Sequence, residues 1–197
     1  MSQVHYVIII PGLSNDTTKV KIATSFWRKY NLQPLIYPFN WHKKNTDFTE
    51  SLSKLLNLIS KLSQNQNKVS LVGCSAGGST VLNAFYKNNN VYKIVNVCGR
   101  LRKGMQKGFR SYGTRTKSSK LFAESVELCE KRIDNLSEID KKRIMTIRPL
   151  LGDELVPGNT ATIIGAQNIT LPTGEHLLTI GAALTIFGKR IIDFLKD

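Results

Sequence analysis

Gly73-Cys74-Ser75-Ala76-Gly77 is the stretch of this sequence best suited to covalent chemistry. It reads G-x-S-x-G, placed directly after a strand-like run at 68–72 and ahead of a helix-like run at 77–87. A nucleophilic serine must protrude from the end of a sheet, which forces Ser75 into a strained backbone on a tight turn. Glycines at 73 and 77 let strand and helix approach around it. The helix start then sets backbone N–H groups beside the hydroxyl, where negative charge would develop. The plainer alternative is a glycine-rich turn that only packs tightly or cradles a phosphate. Neither the G-x-x-x-x-G-K-[ST] nor the G-x-G-x-x-G form of a phosphate loop is present.

A serine needs a base, and the base needs an acid to orient it. The chain has three histidines. His5 opens the first strand-like segment, far from the strand ends where a site would form. His42 sits among Trp41, Lys43 and Lys44 and reads as a surface residue. His176, in Thr173-Gly174-Glu175-His176-Leu177, falls in a loop between the last strand and the final helix and is the best base. For the acid, Asp153 follows the fifth strand in Gly152-Asp153-Glu154-Leu155-Val156-Pro157, with the adjacent Glu154 as its rival.

The elements that must position these residues alternate. Strands are expected at 4–10, 34–37, 68–72, 94–97, 144–147 and 169–171. Helices are expected at 18–30, 77–87, 121–133 and 184–195. Leu52, Leu55, Leu56, Ile59 and Leu62 recur at helical spacing behind Asp47 and Glu50, a capping-box pair. Residues 4–10 form a run that is apolar but for His5, the pattern of a strand buried on both faces. Such alternation specifies an α/β fold with a mainly parallel sheet of about six strands flanked by helices. The alternation breaks at 100–142, which reads as a basic, lid-like insertion within a single domain spanning 1–197.

Ser75, Asp153 and His176 follow one another in the order of the α/β-hydrolases. With the elbow at 73–77, the D-x-x-V-P stretch at 153–157 and Gly174-Glu175-His176-Leu177, the chain resembles a small, esterase-like serine hydrolase of the α/β-hydrolase fold superfamily. The resemblance favours Asp153 over Glu154, because the family's acid precedes a Val-Pro turn. It implies an oxyanion hole made by the N–H groups of Ala76 and of Leu13 in the loop after the first strand. Many members carry His-Gly in that loop, where this chain has Pro11-Gly12. The implied reaction is cleavage of a carboxylic ester or thioester through an acyl-enzyme, with no metal or organic cofactor. Peptidase or acyltransferase chemistry on the same triad, and a non-catalytic binding protein of this fold, are the alternatives. Cys74, beside the nucleophile, reads as a packing residue.

The 197 residues carry 28 Lys and Arg against 14 Asp and Glu, a formal charge of +14. Such a charge predicts anionic partners. It is concentrated: residues 100–120 hold Arg100, Arg102, Lys103, Lys107, Arg110, Arg115, Lys117 and Lys120, and no acid. Three readings follow for this segment: a solvated loop, a lid steering a small anionic acyl substrate toward Ser75, or a surface for nucleic acid or acidic lipid. No nucleic-acid motif accompanies the charge, which argues against that partner and leaves an acidic membrane surface weakly supported. The segment also contains Met105, Phe109 and Tyr112.

Three cysteines without C-x-x-C spacing exclude a disulfide framework and a structural zinc site. The N-terminal residues lack the basic region of a signal peptide, and the uncharged run at 177–188 is too short to span a bilayer. A soluble, cytoplasmic protein is expected.

Overall fold

In the computed structural model, residues 3–197 are described; Met1 and Ser2, part of the segment read for a leader, lie outside the described residues. Six strands form one sheet: β1 (His5–Ile10), β2 (Leu32–Ile36), β3 (Lys68–Cys74), β4 (Val91–Val97), β5 (Ile144–Pro149) and β6 (Gln167–Leu171). Their order is β2-β1-β3-β4-β5-β6. Every neighbouring pair is parallel, with registers such as Ile9 opposite Ile36 and Val72, and Val97 opposite Cys74 and Ile147.

The predominance of apolar residues on both sides of the central strands follows from coverage on both faces. Ile8, Ile10 and Leu71 pack toward α2 (Phe48–Leu62), α3 (Gly77–Lys87) and α5 (Lys120–Ile133). Val7, Ile9, Val72 and Val97 pack on the other face, with Leu184 of α7 (His176–Leu184) and Ile191 and Ile192 of α8 (Gly188–Lys196). Pro34 lies in β2, at the sheet edge, where a missing N–H donor costs least.

The helix expected at 18–30 divides. α1 covers Thr17–Thr24, and Ser25–Tyr30 tightens into a 3-10 turn. Thr24 and Ser25 turn their hydroxyls back onto the carbonyls of Val20 and Ile22, a competition that disturbs helices. The turn seats the buried Trp27 so that its indole N–H donates to the Leu184 carbonyl at 3.2 Å. Only half of the expected capping box forms: Asp47 accepts from the Glu50 N–H at 2.7 Å, while the Glu50 carboxylate pairs with Lys54.

Residues 100–142 contain α4 (Tyr112–Thr116), α5 and α6 (Glu138–Lys142). Leu121, Val126, Cys129 and Ile133 of α5 belong to the same core as the sheet, and Leu101 is fully buried. Among the described residues, no helix is long and apolar enough to cross a membrane.

Candidate active site

The chain passes from β1 outward to β2 and returns to β3 on the other side of β1. The carboxyl ends of β1 and β3 therefore flank a switch point, where a crevice opens in sheets of this kind. The loop after β1 carries Leu13, and the turn after β3 carries Ser75.

Ser75 has φ of 52°, in the left-handed region. Its N–H donates to the Val97 carbonyl at 2.9 Å, and its own carbonyl accepts from Gly78 at 3.0 Å. The turn is fixed at both ends, which holds a conformation costing about 1–3 kcal/mol. Cys98, at the end of the adjacent β4, is also left-handed with φ of 54°. Below the turn, the buried Asn96 donates to the carbonyls of Gly99 and Ala161 and accepts from the Gly99 N–H, each at 3.0 Å. That clamp had no signal in the sequence, since an Asn inside a strand-like run carries no positional information of its own.

The structure brings Ser75, His176 and Asp153 together. His176 Nε2 lies 2.9 Å from Ser75 Oγ, and Nδ1 lies 2.8 Å from Asp153 Oδ2. An ionised carboxylate only accepts, so Nδ1 carries the proton and Nε2 is left to accept from the serine hydroxyl. The second Asp153 oxygen accepts from the N–H groups of Leu155 at 2.8 Å and Val156 at 2.7 Å. Burial alone would raise the Asp153 pKa. The hydrogen bond and charge of His176 and the two N–H groups outweigh it and hold the carboxyl below its ordinary value.

His176 is the first residue of α7 rather than part of a loop. Glu175 caps this helix, accepting from the N–H groups of Leu177 and Leu178. Glu154 accepts from the His176 backbone N–H at 3.0 Å and does not meet the ring. His5 and His42 stay away from this group. His5 Nε2 meets Ser70 Oγ at 2.8 Å near the start of β1, and His42 Nδ1 meets the Ser118 carbonyl at 3.0 Å.

Leu13 and Ser75 line one cleft of about 480 Å³. Among the described residues, the N–H groups of Leu13 and Ala76 donate to no protein acceptor. One wall is apolar, formed by Val20 and Ala23 of α1 and Ile180 and Leu184 of α7. Arg100 and Arg115 also line the cleft.

Cys98, Asp153 and His176 are the one group of metal-ligand type among the described residues, with ligand atoms within 4.8 Å of one another. The donor chemistry does not suit an ion: both imidazole nitrogens and both carboxylate oxygens are already engaged, and burial pushes the Cys98 thiol far from its thiolate. Burial likewise raises the Cys74 thiol to about 12.

Comparison with solved structures decides the fold. A monoacylglycerol lipase from Paleococcus ferrophilus superposes with a TM-score of 0.68 at 12% identity, covering 96% of this chain and 93% of that one. The chain has the α/β-hydrolase fold. A structure from the metagenome-derived lipolytic enzymes LipS and LipT aligns over 100% of this chain and 95% of its own, with a TM-score of 0.67 and 11% identity. The ydeN gene product of B. subtilis aligns over 98% of this α/β-hydrolase-fold chain and 100% of its own, with a TM-score of 0.66 and 15% identity. No family model matches the sequence, and no curated protein matches it.

Proposed function

We propose that the protein is a serine hydrolase that cleaves carboxylic ester or thioester bonds. The observation that carries this reading is the unbroken chain Ser75 Oγ, His176 Nε2, His176 Nδ1 and Asp153 Oδ2, at 2.9 and 2.8 Å, opening on a cleft. The lipolytic enzymes and the monoacylglycerol lipase among the structural neighbours support the same reaction class.

Ser75 Oγ attacks the acyl carbonyl carbon, and its proton passes to His176 Nε2. Asp153 keeps Nδ1 protonated, points the ring and stabilises the imidazolium that forms. The free N–H groups of Leu13 and Ala76 donate to the oxyanion, a contribution of about 3 kcal/mol per donor. Collapse of the tetrahedral adduct breaks the C–O or C–S bond, and Nε2 returns the proton to the departing oxygen or sulfur. Water then attacks the acyl-Ser75 carbonyl and gives its proton to Nε2. The second collapse frees the carboxylic acid and restores the serine hydroxyl.

Labelling by a fluorophosphonate probe tests the assignment. The wild-type protein is expected to take up one probe per chain at Ser75, and Ser75→Ala to take up none and lose ester hydrolysis. Unchanged labelling and hydrolysis in Ser75→Ala would refute the proposal.

A further inference from the structure

The cleft carries a charge that hydrolysis at Ser75 does not use. Arg100 follows β4, lines the cleft and is 0% exposed. Its Nη1 donates to the Lys103 carbonyl at 2.7 Å, and its Nη2 to those of Arg110 at 2.6 Å and Leu155 at 3.3 Å. Its Nε has no partner. Carbonyl oxygens satisfy N–H groups without cancelling the charge, and a buried charge is ordinarily paired.

No described carboxylate lies within ion-pair distance of Arg100, and the charge of Asp153 acts on it only from farther off. Asp16, on the cleft, is held by Lys19 at 3.1 Å, and Asp153 is held by His176. Glu127 pairs with Lys103 at 2.9 Å, and Glu130 accepts from the Lys103 backbone N–H.

Arg115 of α4 lines the same cleft. Its guanidinium lies 4.6 Å from the Phe109 ring centre and forms no ion pair or hydrogen bond with a described residue. The stacked ring orients the guanidinium and leaves its donor fork free for a planar or tetrahedral anion. Burial first, then the charges of Arg115 and Arg110, lower the Arg100 pKa against a smaller opposing pull from Asp153. Both arginines line one cleft, and an anion placed between two mutually repelling cations would stabilise both.

We propose that Arg100 and Arg115 form a subsite for an anionic group, carboxylate or phosphate, borne by the acyl ester that Ser75 cleaves. The class of substrate is then an ester whose second end is charged, such as a monoester of a dicarboxylic acid. The ester-cleavage half rests on the serine hydrolase reading; the anion-binding half does not.

Two para-nitrophenyl esters of equal chain length test the subsite, the glutaric acid monoester and the neutral valerate. The quantity read is the ratio of their kcat/KM values. Arg115→Gln is expected to lower that ratio about tenfold, the scale of one charge-assisted contact. Lys117→Gln removes the same charge from an exposed neighbour that does not line the cleft, and is expected to shift the ratio by no more than about twofold. Equal shifts in the two variants would reduce the effect to a general field and overturn the subsite, as would an unchanged ratio in Arg115→Gln.

Calorimetry on Ser75→Ala, with glutarate and inorganic phosphate as separate titrants, reads binding without turnover and identifies which anion is preferred. Binding of either that is lost on adding Arg115→Gln upholds the subsite even if no ester is cleaved. Hydrolysis of both esters at the same ratio in every variant, with no anion bound, upholds the hydrolase and rejects the subsite.

Discussion

Glu154 accepts a hydrogen bond from the backbone N–H of His176 at 3.0 Å, while the adjacent Asp153 takes the imidazole of the same residue at 2.8 Å. Two neighbouring carboxylates thus hold one histidine by different parts, one by its main chain and one by its ring. Asp153→Asn is expected to lower kcat by about 10³- to 10⁴-fold with the fold retained, because an amide favours the wrong imidazole tautomer. Glu154→Gln keeps an acceptor for the N–H and is expected to lower kcat by no more than about tenfold. Steady-state kinetics of the two variants checks the division of labour, and equal losses would place the acid function on the pair instead.

The elbow's sharpness has a stability consequence. A Cβ on Gly73 would lie 2.3 Å from the Gly77 carbonyl oxygen, a backbone atom with no room to move. Gly73→Ala is therefore expected to cost about 3 kcal/mol or more. Urea unfolding of the Ser75→Ala background with and without the change measures this independently of catalysis, and a loss below about 1 kcal/mol would contradict the packing described.

How much of this was legible in the sequence depended on which signals are local. β1 and β3 could be read because both faces of the sheet are covered, so apolar residues fill most positions on both sides, Val7 to Ile10 without a break. The elbow could be read because its glycines and serine are contiguous. The α7 start at His176 could not: the cap is made by Glu175 side-chain oxygens, and the residues after it are too uniformly apolar to show a period. In the sequence Arg100 is one of eight cations of a basic segment, and its burial depends on carbonyls at Lys103, Arg110 and Leu155, the last 55 positions away. Its one local sign is its place three residues after the buried end of β4.

All three cysteines are free and buried, and burial raises each thiol, Cys74 to about 12. Thiolate is the reactive species, so the native protein is expected to resist Ellman's reagent and to keep the proposed ester hydrolysis in iodoacetamide. Three thiols per chain should titrate after unfolding in guanidinium. Rapid loss of activity on alkylation of the native protein would show that Cys74 or Cys98 becomes accessible from the cleft.

His5 gives the fold a pH dependence separate from the cleft. Burial, then the charges of Lys68 and Lys93, lower its pKa from 6.5 to about 4. Its ring meets Ser70 Oγ at 2.8 Å and sits edge-on to Tyr92. Between pH 6.5 and about 4 the unfolded chain binds a proton at this residue that the folded chain does not. Stability from a neutral, buried His5 is thus fully present above pH 6.5 and is lost as pH falls toward 4, with a slope of up to about 1.4 kcal/mol per pH unit. His5→Gln removes the titration while keeping a polar group for Ser70. Urea midpoints across this window are expected to rise more steeply with pH in the wild-type protein than in the variant. Parallel curves would mean that the folded chain protonates His5 as readily as the unfolded one. Carboxylates held below their ordinary values, such as Glu127 and Glu175, add a slope of the same sign at the acid end of the window, so the difference between the wild-type protein and His5→Gln is the quantity that reads His5.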